Sequence, residues 1–219
     1  MKRILIMCEG QTEQEFCKKT LAPYFLQKDI IIKNSSWNGI KHWQRIKLDV
    51  ENQLKGDETL KVSTFLDYYG TNDNREFPDW EQAHQKFPAN TSKRLDFIEN
   101  AMKQAIDSNL QWRFLPYLQL HEFEALLFID EKKFCSQFIE NDFHKNGKQE
   151  LSKIFTNYPN PEDINKSRQT SPSHRLEEKI ICGWHKIVYG NIIAETVGLD
   201  AIRVKCPRFN DWIIRLENL

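Results

Sequence analysis

The chain has little that would tie it to a disulfide scaffold, a membrane or a polyanion. Its 219 residues include five cysteines, Cys8, Cys17, Cys135, Cys182 and Cys206, an odd number, widely scattered and without a C-x-x-C pair. That pattern is neither a disulfide framework nor a zinc ribbon, and it reads as reduced thiols, mostly buried as small hydrophobes. No stretch approaches the ~18 consecutive apolar residues of a membrane span. The N-terminal apolar run, Ile4 to Met7, is four residues long and soon reaches Glu9, too short for the core of a signal peptide. A soluble, cytoplasmic protein without membrane association is therefore expected. A dominant charge is missing too: 31 Lys and Arg balance 31 Asp and Glu. This argues against a surface coated for sequence-independent nucleic-acid binding and leaves local basic patches open. There is no internal repeat, no G-x-G-x-x-G and no G-x-x-x-x-G-K-[ST], which disfavours a dinucleotide-binding Rossmann domain and a P-loop.

What is present is an alternation of apolar patterns. Ile4 to Met7 reads as a buried strand, and Thr12 to Leu26 as a helix with Phe16, Leu21 and Phe25 on one stripe. Thr12 is the expected cap, with Glu15 at capping-box spacing, and Pro23 bends or ends the helix. Ile30 to Ile32 is a β-branched second strand. Ile40, Trp43, Ile46, Val50 and Leu54 mark a helix from Gly39 to Lys55, and Lys61 to Asp67 is a third strand. The polar segment Tyr68 to Ser92 reads as a long loop of the kind that often carries function. Leu95, Ile98, Met102, Ala105 and Ile106 form the next helical stripe, and Arg113 to His121 a fourth strand with Pro116 at an edge or bulge. The expected fold is α/β, with a mainly parallel four-stranded sheet flanked by helices. Beyond Asp130 only helical patterns remain, with a connecting loop at Asn157 to Pro172. The division expected is an α/β core over 1–130 and a helical extension over 131–219 packed on it.

Three strands run directly into acids: Glu9, Asp67 and the pair Glu122 and Glu124. In a parallel sheet all strand carboxyl ends lie on one edge, so these acids can converge from distant parts of the chain. Converging carboxylates repel one another unless a cation neutralises them. Hard oxygen donors suit Mg²⁺ or Mn²⁺, and the matching chemistry is attack on a phosphodiester or phosphoryl transfer. Glu9 alone is equally consistent with a solvated turn residue. His121 at the end of the fourth strand is open between general base, metal ligand, phosphate contact and structural hydrogen bonding. Glu122 and Glu124 share a face if the strand continues through them and diverge if a helix starts there.

The segments Cys8-Glu9-Gly10-Gln11-Thr12-Glu13, Phe65-Leu66-Asp67-Tyr68-Tyr69-Gly70 and Leu120-His121-Glu122-Phe123-Glu124-Ala125-Leu126-Leu127-Phe128 resemble the signatures of a bacterial Toprim-like family of unknown function. Further matches are Pro161-Glu162-Asp163-Ile164-Asn165, Pro172-Ser173-His174-Arg175-Leu176 and Gly198-Leu199-Asp200-Ala201-Ile202-Arg203. That family is similar to the Toprim domains of overcoming-lysogenization-defect nucleases and of other ATPase-partnered anti-phage effectors. The resemblance implies a Toprim-like fold, a Mg²⁺ or Mn²⁺ cofactor, nucleic acid as substrate, an ATPase partner subunit and a role in defence. It places Glu9 at the first Toprim glutamate and Asp67 at the first aspartate of D-x-D, with Glu9, Asp67 and Glu124 as the expected metal ligands. The pattern departs at Tyr69, where a second acid belongs. One metal instead of two, or recruitment of Glu122 or Glu124, would follow.

The expected catalytic set is thus Glu9, Asp67, His121, Glu122 and Glu124. Basic residues beside loops, Arg168, His174 and Arg175, and a second cluster, Lys205 and Arg208 with Arg203, are candidates for holding phosphates, against the plainer reading of a solvated surface. Tyr68 is expected to pack rather than stack on a base. A non-catalytic binding subunit with a degenerate site stands as the alternative function, and homo-oligomerisation is left open.

Overall fold

The computed structural model describes residues 1–39, 41–68, 76–164 and 170–219. Ile40, Tyr69, Gly70 and Arg168 lie outside the described residues. Two compact units emerge, one made of Met1–Leu120 with Trp212–Leu219 and one of His121–Asp211. This differs from the expected division after residue 130: the sheet unit ends ten residues earlier and recovers the C-terminal segment, because Trp212 belongs to its core.

The first unit is α/β. β1 (Lys2–Cys8), β2 (Ile30–Ser36), β3 (Leu60–Asp67), β4 (Phe114–Leu115) and β5 (Leu118–Gln119) form one sheet in the order β2-β1-β3-β4, with β5 also on β3. All pairings are parallel. Ile4 to Cys8 are buried, the pattern of a strand covered on both faces. Leu5, Met7, Val62 and Leu66 face a core with Trp43, Ile46, Val50 and Leu54 of α3 (Trp43–Gly56) and Leu95, Ile98 and Met102 of α5 (Thr91–Ala105). On the other face the Phe16 ring meets Phe65 edge-on. β2 runs four residues past the expected Ile32, because β1 offers a continuous partner from Lys2↔Ile30 to Cys8↔Ser36.

Local differences have physical causes. The expected helix over Thr12 to Leu26 is α1 (Gln11–Phe16), a π-helical stretch Cys17–Leu21 and α2 (Ala22–Leu26). Pro23 has no N–H and the ladder loosens just before it, so that the Ala22 N–H reaches back to the Cys17 carbonyl. The cap is Gly10 rather than Thr12. α4 (Trp80–Lys86) occupies the middle of the segment expected to be a loop. It is held through Tyr68, whose hydroxyl donates to His84 Nε2 at 3.1 Å and accepts from Arg94 at 3.0 Å. The His84 Nδ1–H donates to the Trp80 carbonyl, which fixes that tautomer. Tyr68 therefore packs, as expected.

Pro116 cuts the expected strand Arg113–His121 into β4 and β5. Hydroxyls of β3 repair the break: Ser63 Oγ donates to the Leu115 carbonyl at 2.6 Å. Thr64 Oγ1 donates to the Tyr117 carbonyl at 3.0 Å and accepts from the Tyr117 N–H at 2.9 Å. The Leu118 N–H donates to buried Glu99 on α5 at 2.7 Å. Ser63 Oγ also accepts from Trp212 Nε1 at 2.9 Å, and the indole stacks on Tyr117 with ring centres 4.4 Å apart and planes 7° apart.

The second unit is helical. A 3₁₀ turn Phe123–Leu127 leads to α6 (Glu131–Cys135), α7 (Gly147–Asn157), α8 (Pro172–Arg175) with a π-helical continuation Leu176–Ile180, α9 (Lys186–Val197), α10 (Leu199–Lys205) and the start of α11 (Pro207–Glu217). Its β pairing among the described residues is one antiparallel bridge, Phe143 with Ile181. Inside the expected loop Asn157 to Pro172, a 3₁₀ turn Pro161–Asp163 buries Glu162. Pro207 opens α11 without an N–H, and the next two donors, Arg208 and Phe209, both go to the Glu162 carboxylate at 2.9 and 3.0 Å. Burial pushes the Glu162 carboxyl above its usual range, against the opposing pull of those donors. Among the described residues no helix is long and apolar enough to cross a membrane.

Two stability predictions follow from these cores. Trp212→Ala removes a fully buried indole and should cost about 3–5 kcal/mol by urea unfolding, with Trp212→Phe closer to wild type because the stack on Tyr117 survives. Glu162→Ala orphans two N–H groups and should cost about 2–4 kcal/mol; Glu162→Gln, which keeps one acceptor oxygen, should cost less.

Candidate functional site

The carboxyl edge of the sheet is assembled by the ladder itself. β1 ends opposite Phe65, and the Glu9 N–H donates to the Phe65 carbonyl at 3.0 Å. The Glu9 carbonyl accepts from Gly39 N–H at 2.9 Å, just beyond β2. Gripped by backbone on both sides, Glu9 turns its carboxylate toward β3, where Oε2 accepts from the Asp67 N–H at 3.3 Å. Glu9 and Asp67 are thus brought together, half-buried, at adjacent strand ends. Next to Asp67 in the register stands Gln119, whose carbonyl accepts from the Tyr68 N–H at 2.9 Å.

The turn after Glu9 is closed by a residue to which the strand-end reading gave no role. Glu13 is buried, and its carboxylate accepts from the Gly10 N–H at 2.9 Å. A Cβ on residue 10 would stand 3.1 Å from that carboxylate oxygen, so a larger residue would push the Glu13 carboxylate aside by a few tenths of an ångström. The signal was present in the sequence: Gly10 to Glu13 is capping-box spacing, two residues earlier than the Thr12 to Glu15 pair expected.

The remaining acids behave differently. Glu122 sits in extended backbone before the 3₁₀ turn, and Glu124 lies inside that turn, buried. The two are therefore not strand neighbours. The Glu122 carboxylate accepts from the Ser173 N–H at 2.9 Å, at the start of α8, so Glu122 is joined to the segment that carries His174 and Arg175. Arg175 donates from Nε to the Thr170 carbonyl at 2.8 Å and lies over the Tyr158 ring. Lys205 and Arg208 belong to a different junction, the end of α10 and the start of α11.

His121 carries three marks of a specialised position. Its backbone is left-handed, with φ at 69°, a conformation that strains a non-glycine residue. Nδ1 is buried without a hydrogen-bond partner. Burial lowers its pKa from 6.5 to about 4, so the ring is neutral at pH 7.

Among the described residues no group of three or more His, Cys, Asp or Glu side chains could hold a metal ion. Glu9 and Asp67 form a pair, and two hard carboxylates from adjacent strands suit one Mg²⁺ that keeps most of its waters. In donor chemistry the pair fits such an ion.

The profile of a domain of unknown function, DUF4276, matches residues 8–217. No curated protein matches the chain. Two solved structures of the C-terminal region of the OLD protein of Xanthomonas campestris pv. campestris, phased with iodine and with mercury, are similar to it. They are 14% and 15% identical, each with a TM-score of 0.42, covering 100% of this chain and 99% of theirs.

A neutral buried imidazole makes stability acid-sensitive. The unfolded chain binds a proton near pH 6.5 and the folded chain only near 4. The contribution is therefore complete above about pH 7 and is lost as pH falls through that window. In chelator-containing buffer, the unfolding free energy should drop by up to about 3 kcal/mol between those limits on account of His121. His121→Asn, which tolerates the left-handed backbone, should flatten that part of the profile relative to wild type.

Proposed function

The chain belongs to the DUF4276 family, a domain of unknown function, and we propose that it is a Mg²⁺- or Mn²⁺-dependent nuclease of Toprim type that cleaves nucleic-acid phosphodiesters. The observation that carries this reading is the meeting of Glu9 and Asp67 at the carboxyl edge of a parallel sheet, with Glu9 Oε2 at 3.3 Å from the Asp67 nitrogen. Open α/β sheets bind their ligands at that edge. Glu9 and Asp67 would hold the ion. Bound there, the ion supplies charge neutralisation and Lewis acidity at a phosphate.

The chain's own residues set the conditions. Glu13 locks the turn and so fixes where the Glu9 carboxylate stands. His121, neutral at pH 7, offers a nitrogen lone pair to a proton or a polar hydrogen. His174, Arg175, Lys205 and Arg208 are the described basic side chains that could meet phosphates, with Arg168 outside the described residues. A defence role and an ATPase partner rest on the motif resemblance.

One observation favours a second reading, a non-catalytic subunit that binds nucleic acid or a partner. The D-x-D position holds Tyr69, and no third acid joins Glu9 and Asp67 among the described residues.

Thermal unfolding against Mg²⁺ or Mn²⁺ separates the two readings. At a hundredfold excess over Kd, the bound ion should raise Tm by about 5–10 °C. Glu9→Gln and Asp67→Asn should each abolish the rise while folding normally, because each keeps an acceptor oxygen. Cleavage of plasmid DNA or RNA with Mn²⁺ should vanish with Glu9→Gln. A wild-type protein that neither responds to the ions nor cleaves would leave the binding subunit.

A further inference from the structure

The cysteines are not equivalent. Cys8, Cys17 and Cys206 are buried, Cys135 is half-buried and Cys182 is exposed. Burial pushes the Cys8 and Cys206 thiols well up and the Cys135 thiol up, which keeps them protonated and inert. Cys182 alone of the five has a histidine against it, with Sγ 3.4 Å from His144 Nδ1.

That contact is built by the backbone. The bridge between Phe143 and Ile181 is flanked by Cys182 N–H to the Asp142 carbonyl at 2.7 Å and His144 N–H to the Ile180 carbonyl at 3.0 Å. Phe143 and Ile181 point inward and are buried, so the residues beside them, His144 and Cys182, project to the other side. The Gly147 N–H then closes onto the His144 carbonyl at 2.7 Å. A Cβ on residue 147 would stand 2.3 Å from the Ile180 carbonyl oxygen, so only glycine lets the two segments approach this closely.

The imidazole is oriented as well. In the π-helical stretch Leu176–Ile180, the Ile181 N–H returns to the Leu176 carbonyl, and the Cys182 N–H is taken by Asp142. The Glu177 carbonyl is left to accept from His144 Nε2 at 3.1 Å. A carbonyl only accepts, so Nε2 carries the proton and Nδ1 presents its lone pair to the thiol. A nucleophile, a base in hydrogen-bond reach and a group that orients the base stand in line.

We propose that Cys182 is the reactive thiol of this protein, activated by His144, and that it is a site of modification by a low-molecular-weight disulfide. In the exchange the thiol proton passes to His144 Nδ1 and the Cys182 thiolate attacks one sulfur of the small disulfide. That S–S bond breaks as a new one forms to Cys182, and the departing thiolate takes the proton from His144. One disulfide is consumed and one formed, with no other oxidant required. This inference is independent of the nuclease reading.

The test uses the native full-length chain and an aromatic disulfide that releases a coloured thiolate. One thiol should react at least about tenfold faster than the rest, and peptide mass mapping should place the first mixed disulfide on Cys182. Cys182→Ser should remove the fast phase. Between about pH 6 and pH 8 the wild-type rate should rise less than tenfold, where a plain thiol rises about a hundredfold; His144→Gln should restore the plain-thiol slope. A fast phase that persists in Cys182→Ser, or a plain-thiol slope in the wild type, overturns the proposal. The wild-type profile decides the matter even if a variant fails to fold.

Discussion

Backbone N–H groups stranded where regular structure breaks are the constraint on which this fold depends, and glutamate carboxylates meet it again and again. Glu13 takes the Gly10 N–H where β1 turns into α1, and Glu9 takes the Asp67 N–H where β3 ends. Glu99 takes the Leu118 N–H beyond the proline break, and Glu162 takes two donors at the start of α11. Glu122 does the same for Ser173. A buried donor without a partner costs about 1–3 kcal/mol, comparable to much of a domain's net stability. These carboxylates are therefore structural before they are anything else, and three of them, Glu13, Glu99 and Glu162, are buried for that purpose.

This bears on what was legible in the sequence. Alternating apolar patterns identified β1, β2, β3, α3 and α5 because those elements bury one stripe or face against a common core. The parallel sheet followed from their order. What escaped was set by partners far away in the chain. Nothing local marks Trp80 to Lys86 as a helix; it forms under Tyr68 and Arg94. Pro116 pointed to an edge or a bulge, but the break it makes and the repair of that break by Ser63 and Thr64 depend on the neighbouring strand. Trp212 lies in the stretch expected only to be helical, and its stacking on Tyr117 ties the end of that stretch to the sheet unit.

The site was legible in the same partial way. A strand running into an acid looks alike whether the carboxylate faces a cation or a backbone N–H. At Glu9 the two roles are compatible: a carboxylate oxygen that accepts the Asp67 N–H can also face a cation. That bond also orients the group, which a metal ligand requires. At Glu162 the carboxylate is buried and each oxygen accepts an N–H of α11, which holds it inside the fold. At Glu122 one oxygen is committed to α8. The acids of this chain divide by how much of their acceptor capacity the backbone consumes, a quantity invisible to residue spacing.

Two pairs of close side chains show how environment, more than proximity, sets chemistry. Cys8 and Cys17 are 3.7 Å apart and fully buried, and burial together with the neighbouring thiol holds Cys8 well above the usual thiol range. Among the described residues the Cys8 sulfur has no base beside it, and its burial keeps the thiol protonated. Cys182 and His144 are 3.4 Å apart, but one partner is a base and the thiol is open to solvent. Both pairs stand beside π-helical stretches. At Cys17–Leu21 the loosened ladder accommodates a proline. At Leu176–Ile180 it frees the carbonyl that holds an imidazole in a single tautomer. The same backbone irregularity thus serves packing where its neighbours are apolar and reactivity where they are not.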